Sequence, residues 1–408
     1  VTQATPDPAD DRKMVVVLPF ENLGPPEEAY FAAGMTEEVT SRLAKVGGLG
    51  VISRTSATQY DRTGKTTRQI AEDLGVDYVV EGTVRWARSA DGQDRVRITP
   101  KLIRVTDDTQ LWSESFDRRI DDIFAVQTEI ASEVIDRMGV TLGGGEQAHL
   151  AGAPTKNLEA YELYLQAKDY RDDNWREYDR RRVEMLEQAV ALDPDFLEAW
   201  AELSSHHSGW YMEVEQTEER LAKSREALQR AEALDPDHPQ THLARGNYLY
   251  RGLREYDRAL EHYQTALRMA PNDTRTMESI SYIYRRQGKM DEHLEQLEAA
   301  FRLDPQNLNI AANLAMSYRA PRRFDVAVPM YERAEEMNPN DYRLRMNRAL
   351  SIVAWKGDVA AARRIIEERP KPGDVWYTVG LLVVHLLERD YPGAVAQARQ
   401  FAHDSPPL

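Results

Sequence analysis

YDRALEHYQTALRMAP (256–271) returns two periods later as FDVAVPMYERAEEMNP (324–339), and this pair decides the fold of most of the chain. Both copies hold Ala, Tyr, Ala and Pro at the same offsets: Ala259, Tyr263, Ala266 and Pro271, then Ala327, Tyr331, Ala334 and Pro339. Leu-Asp-Pro-Asp or a relative of it recurs at Pro194, Pro236, Pro271, Pro305 and Pro339, with spacings of 42, 35, 34 and 34. Ala189, Ala231 and Ala300 keep the alanine offset in the other periods. Small residues at fixed points let neighbouring helices approach, an aromatic fills the gap between pairs, and proline stops the second helix. A period of 34 closed by proline predicts paired helices stacked in an array.

The repeats resemble the tetratricopeptide repeat family over about 250 residues, with Trp200, Gly246, Tyr284 and Tyr318 at its first-helix signature positions. The expectation is an array of about six to seven helix pairs over 158–404. Repeats three to five fit best. The first two carry extra residues around Asp172–Tyr178 and Tyr211–Glu219, which bring Trp175 and Trp210 outside the consensus. Two last pairs, near 341–369 and 374–403, keep the period and lose the consensus. In such arrays the first helices line an inner groove. Carrying the family's groove positions over gives Asn247, Tyr250 and Arg251 in the third repeat, Tyr282, Arg285 and Arg286 in the fourth, and Met316 and Arg319 in the fifth. That stripe is basic and dotted with aromatics, the side-chain types that anchor peptides. It predicts a protein or peptide partner bearing acidic groups or a terminal carboxylate; the competing reading is that these arginines only solvate the surface and cap helix ends. Glu295–Glu298 and Glu332–Glu336 read as the solvated outer side. An apolar last stretch around Val383–Leu387 leaves self-association open.

Residues 13–142 follow another pattern. MVVVLPF (14–20) is a wholly apolar strand of the buried type. A helix follows with Phe31, Met35, Val39, Leu43 and Val46 on one stripe. GLGVISRTS reads as a strand, TTRQIAEDLG as a short helix ending at Gly75, DYVVEGTVRWA as a strand, and RVRITPKLIRV as a strand burying Val96, Ile98 and Leu102. Pro100 inside that strand predicts an edge position or a bulge, because proline cannot donate to a ladder. LWSESFDR makes a further strand, and Ile123, Val126, Ile130, Val134 and Met138 line a closing helix. The order describes a small α/β domain with a mixed sheet. A linker precedes it (1–12), a hinge follows (143–157), and the whole chain is α+β multidomain.

LPF (18–20), YFAAGMTEE (30–38), ISRTS (52–56), LGVDYVVEGTV (74–84), VRIT (96–99), LWSESFDR (111–118) and IFAVQTEIA (123–131) resemble, in this order, the TolB amino-terminal-like domain of bacterial multidomain proteins. The resemblance implies a domain placed just before tetratricopeptide repeats, often preceded by a membrane helix and a cytoplasmic kinase, cyclase or DNA-binding module. The chain opens at Val1 with a Pro/Asp/Thr stretch, as though such a segment stood upstream.

Among 408 residues, 68 Asp+Glu outnumber 52 Lys+Arg, and the net charge of −16 repels a polyanion such as nucleic acid. No apolar run approaches the roughly 18 residues of a membrane span. Zero cysteine excludes disulfides, thiolate metal sites and cysteine nucleophiles. RTGKTT (62–67) lacks the glycine that a phosphate loop needs, since Gln59 stands in its place. His206 and His207 diverge on a helix, while Pro239 makes His238 a turn residue, so no metal site is expected. Asp107-Asp108 and Asp121-Asp122 flank turns and a helix start. No cofactor is expected. The reading is a non-enzymatic interaction or sensory region, extracytoplasmic and belonging to a membrane-anchored signalling protein. A freestanding scaffold and an unrecognised enzyme in the α/β domain stand as alternatives.

Overall fold

The computed structural model describes residues 12–26, 29–60, 64–87, 95–119, 123–143, 146–147, 154–170 and 175–404. Most of the linker, Arg62 and Thr63 of RTGKTT, the Asp121-Asp122 pair, Gly144, Gly145 and 148–153 of the hinge, residues 171–174 and the Trp175 side chain lie outside the described residues. The chain forms two compact units, Val1–Gly288 and Lys289–Leu408.

In the first unit, β1 (Lys13–Val17), β3 (Leu49–Val51) and β4 (Tyr78–Ala87) run parallel in the order β3-β1-β4. β5 (Arg95–Arg104) and β6 (Thr109–Ser113) extend the sheet antiparallel, so it is mixed. β2 (Glu21–Asn22) pairs with β4, and β7 (Phe116–Arg119) pairs with β5. Alternation along β1 sorts its residues to two buried faces. Val15 and Val17 pack under α1 (Ala29–Leu43) and α4 (Ile123–Arg137), with Phe31, Met35, Val39, Leu43, Val126, Ile130 and Val134 in one core. Val16 and Leu18 turn the other way, against α2 (Arg54–Thr58) and α3 (Thr67–Leu74). Burying each such side chain contributes about 1.5–3 kcal/mol.

Three local expectations needed correction. β5 is interior, paired on both sides, and Pro100 is tolerated for another reason. It stands opposite Gly82 and falls where the other flank changes partner, between Ile98↔Phe116 and Lys101↔Ser113. LWSESFDR is therefore two strands, parted at Glu114 and Ser115. The end of GLGVISRTS is a helical turn, because the Ser53 side chain accepts from the Ser56 amide and caps α2. The capping box of Thr66 and Gln69 and the left-handed Gly75 bound α3, which absorbs the described part of RTGKTT into a helix start.

The first unit continues into helices α5 (Leu158–Asp169), α6 (Trp175–Leu192), α7 (Leu197–Glu213), α8 (Glu218–Leu234), α9 (Pro239–Asn247), α10 (Tyr256–Met269) and α11 (Thr274–Arg286). α9 runs on as a π-helical turn, Tyr248–Leu253. The extra residues near Tyr211–Glu219 lengthen α7 and α8, leaving 214–217 as the connection between them; Trp210 lies under the Arg220 guanidinium, 5.3 Å from its ring centre. Gly246 lets α9 meet α10, since a Cβ there would lie 2.5 Å from the Tyr263 ring.

The second unit holds α12 (Met290–Leu303), α13 (Leu308–Arg319), α14 (Phe324–Met337), α15 (Tyr342–Lys356), α16 (Val359–Glu367), α17 (Val375–Leu387) and α18 (Tyr391–Asp404). Ala327, Tyr331 and Ala334 are buried at their repeat positions. Glu335 departs from the solvated face read in the sequence. It is buried against Arg345 (3.5 Å) and Arg348 (3.0 Å), and burial pushes its pKa up. The chain is thus a small mixed-sheet domain followed by helical repeats. No helix among the described residues is long and apolar enough to cross a membrane.

Candidate functional site

The predicted groove residues separate into two groups. Asn247 is buried, donating to Ser205 Oγ of α7 (3.0 Å) and accepting from the Tyr263 hydroxyl of α10 (2.9 Å). Tyr250 is buried too, and its hydroxyl accepts from Arg286 Nε at 2.8 Å. The cause lies in one residue. Pro236 and Pro271 are 35 apart where the regular period is 34, and the extra residue is absorbed as the π turn after Asn247. Each residue adds about 100° of rotation, so everything beyond the insertion turns by that angle. Tyr250 swings from the inner stripe into the core, and Arg251 takes the place that Arg285 has in the next repeat. The odd spacing was the visible signal.

Arg251 is half-buried and donates to the Ser205 carbonyl of α7 at 3.3 Å. The Tyr282 hydroxyl donates to Glu278 (3.1 Å), and the exposed Arg285 guanidinium sits 5.4 Å from the Tyr282 ring centre. Arg286 lies over both Tyr250 and Tyr256, 5.3 Å from each. In the second unit Met316 is exposed, and Arg319 donates to Asn347 Oδ1 of α15 at 3.1 Å.

A second feature had no sequence signal: the inner side of the first unit's repeats holds the α/β domain. Lys168 of α5 pairs with Glu37 of α1, and Arg54 approaches the same carboxylate at 3.7 Å. The Tyr161 hydroxyl donates to Glu38 at 3.5 Å, while Arg42 pairs with Glu38 at 2.9 Å. Phe124 of α4 meets Tyr161 edge-on, ring centres 5.1 Å apart. Gly34 of α1 lies so close to Leu165 of α5 that a Cβ would overlap it. At the turn before α11, Asn272 is buried and reaches into the sheet domain. Its Nδ2 donates to the carbonyls of Ala44 (3.0 Å) and Val46 (3.4 Å), and its Oδ1 accepts from the Val51 amide (3.2 Å). β3 is an edge strand, whose outward amides would otherwise need water. Asn272 closes that edge.

Charge is concentrated along this contact. Burial opposes ionisation of Glu37, but Lys168 and Arg54 outweigh it and hold the carboxyl below its usual range. Burial likewise opposes ionisation of Glu202 of α7; Arg275, His206 and Arg182 hold it well below. Arg275 donates to both its oxygens (3.1 and 3.0 Å) and Arg182 to one (3.4 Å). Glu198, one turn earlier, is pushed up to about 7 by burial. Among the described residues no group of three or more His, Cys, Asp and Glu is placed to hold a metal ion.

This architecture is that of a stacked helical-repeat array joined to a small mixed-sheet domain. Residues 215–273, 248–307 and 313–375 match the model of the tetratricopeptide repeat family, so the chain carries such repeats. A curated protein of Rhizobium meliloti (strain 1021), named putative adenylate cyclase 3, is 36% identical over 193 residues. That match covers 47% of this chain and 32% of the relative, about a third of its length. Among solved structures, YrrB, described as a TPR protein with an unusual peptide-binding site, is 13% identical with a TM-score of 0.35, covering 53% of this chain and 99% of that one. The pilF protein of Pseudomonas aeruginosa is 18% identical with a TM-score of 0.39, covering 61% and 98%.

Proposed function

We propose that this chain is the non-enzymatic interaction and sensory region of a bacterial membrane-anchored signalling protein, with a protein or peptide partner bound on the first-helix face of its repeats. The observation that carries the reading is the recurrence of Arg251, Arg285 and Arg319 at steps of 34 on successive first helices, with Arg285 exposed over Tyr282. Arginines at such steps suit a segment bearing carboxylates, because a guanidinium offers paired donors to a carboxylate. The cyclase name of the Rhizobium relative supports a signalling context. The extracytoplasmic setting rests on the TolB-like resemblance.

The test has two arms. With a partner captured by the full-length protein, Arg251→Glu, Arg285→Glu and Arg319→Glu together should weaken binding at least tenfold, about 1.4 kcal/mol. Unchanged affinity would leave these arginines as mere surface groups. For the compartment, Arg285→Cys places a single reporter in this cysteine-free stretch, read in the full-length protein with any cysteine outside these 408 residues replaced by serine. Labelling by a membrane-impermeant maleimide in spheroplasts is the expected outcome, and protection until lysis contradicts an extracytoplasmic site.

A further inference from the structure

The contact between α1 and the repeats shows how this array holds a helix. Gly34, Glu37 and Glu38 form the side of α1 turned to α5: the glycine admits Leu165, one carboxylate takes Lys168, the other takes the Tyr161 hydroxyl. Arg275, three residues beyond Asn272, adds positive charge near Glu37. The repeats thus offer a small-residue seat followed by cations and a phenol, in register with Gly-x-x-Glu-Glu on a helix.

The contact is also of a dissociable kind. Its polar part holds the ion pair Lys168–Glu37, whose desolvation cost offsets much of its attraction, beside the hydrogen bonds of Tyr161 and Asn272. Its apolar part includes Phe124 against Tyr161 and Gly34 against Leu165, and a gap remains beside it, lined by Phe31, Gly34, Met35, Gln127, Tyr161 and Leu165. Interfaces of this polar character between domains permit relative motion. What favours docking is the tether, since a short linker supplies an effective concentration of order millimolar.

We infer that the inner face of the first four repeats is a binding surface for an acidic helix of the Gly-x-x-Glu-Glu type, occupied here by α1, and that an outside protein carrying such a helix binds there by displacing the α/β domain. This rests on the interaction reading above but concerns another surface, so the two fail separately.

The probe is a synthetic peptide with the sequence of residues 29–47, titrated into the full chain. Glu37→Lys with Glu38→Lys in the chain should expose α1 amides to exchange and raise peptide affinity at least tenfold over the unmodified chain. Adding Lys168→Glu should remove that gain, and a peptide carrying the same two lysines should recover it. Protection of β5 and α8 amides checks that both parts stay folded. In the unmodified chain, millimolar peptide should speed exchange of the Val51 amide, a readout that needs no variant. The proposal is overturned if the peptide binds the reversed chain no better, or if millimolar peptide leaves Val51 exchange unchanged.

Discussion

Glu202→Ala is expected to destabilise the first unit by about 3–5 kcal/mol, the cost of leaving buried opposite charges without their partner. Glu202 is nearly inaccessible and gathers Arg182 and Arg275 from two other helices and His206 from its own. Arg182 is itself largely buried, so it cannot recover the lost interaction from water. Exchange of α7 and α11 amides should accelerate accordingly. Glu202→Leu combined with Arg182→Leu should recover much of the loss, because apolar replacement of a whole buried pair is often neutral. A single variant as stable as the parent would mean that the cluster is solvated.

Glu198→Gln should act in the opposite direction, and only at high pH. Burial raises the Glu198 pKa from an ordinary 4.5 to about 7, so the folded chain holds a proton that the unfolded chain releases. Its favourable contribution is full below pH 4.5 and is lost as pH rises through about 7. At pH 8 the glutamine variant should therefore be more stable than the parent by about 1–3 kcal/mol, since each tenfold change in proton affinity is worth roughly 1.4 kcal/mol. At pH 4 the two should coincide. Glu37 runs the other way: its depressed pKa gives stability present above 4.5 and lost as pH falls. Together they place the maximum of their combined contribution near pH 4.5, falling as pH rises through about 7 and as it drops below 4.5. Denaturant unfolding of both chains at pH 4, 6 and 8 measures this, and a constant difference across the range contradicts it.

The repeats were legible because their physics is local. Prolines in steady period and alanines where helices touch write the stack directly into the sequence, as the buried Ala259, Tyr263 and Ala266 show. The sheet domain was legible for the same reason, through the two-sided burial of Val15, Val16 and Val17. What escaped was whatever depends on distant partners. Lys168 and Glu37 are 131 residues apart, and Asn272 and Ala44 are 228 apart. Asn272 looks like any turn residue after a repeat proline; only its direction reveals that it binds β3. Tyr250 is buried because the one-residue excess of its period is taken up within the helix as a π turn, which spacing alone does not locate.

The central claim, that the inner face of the first repeats holds the α/β domain, is tested most directly at one amide. Ile52 bonds to the Val15 carbonyl within the sheet, whereas Val51 points outward to Asn272. Hydrogen exchange resolved at these two residues should find both protected in the intact chain. In Asn272→Ala, Val51 should lose at least tenfold of its protection while Ile52 keeps its own. An unprotected Val51 in the intact chain would mean that the edge strand faces water and that the domain is not seated in the repeats.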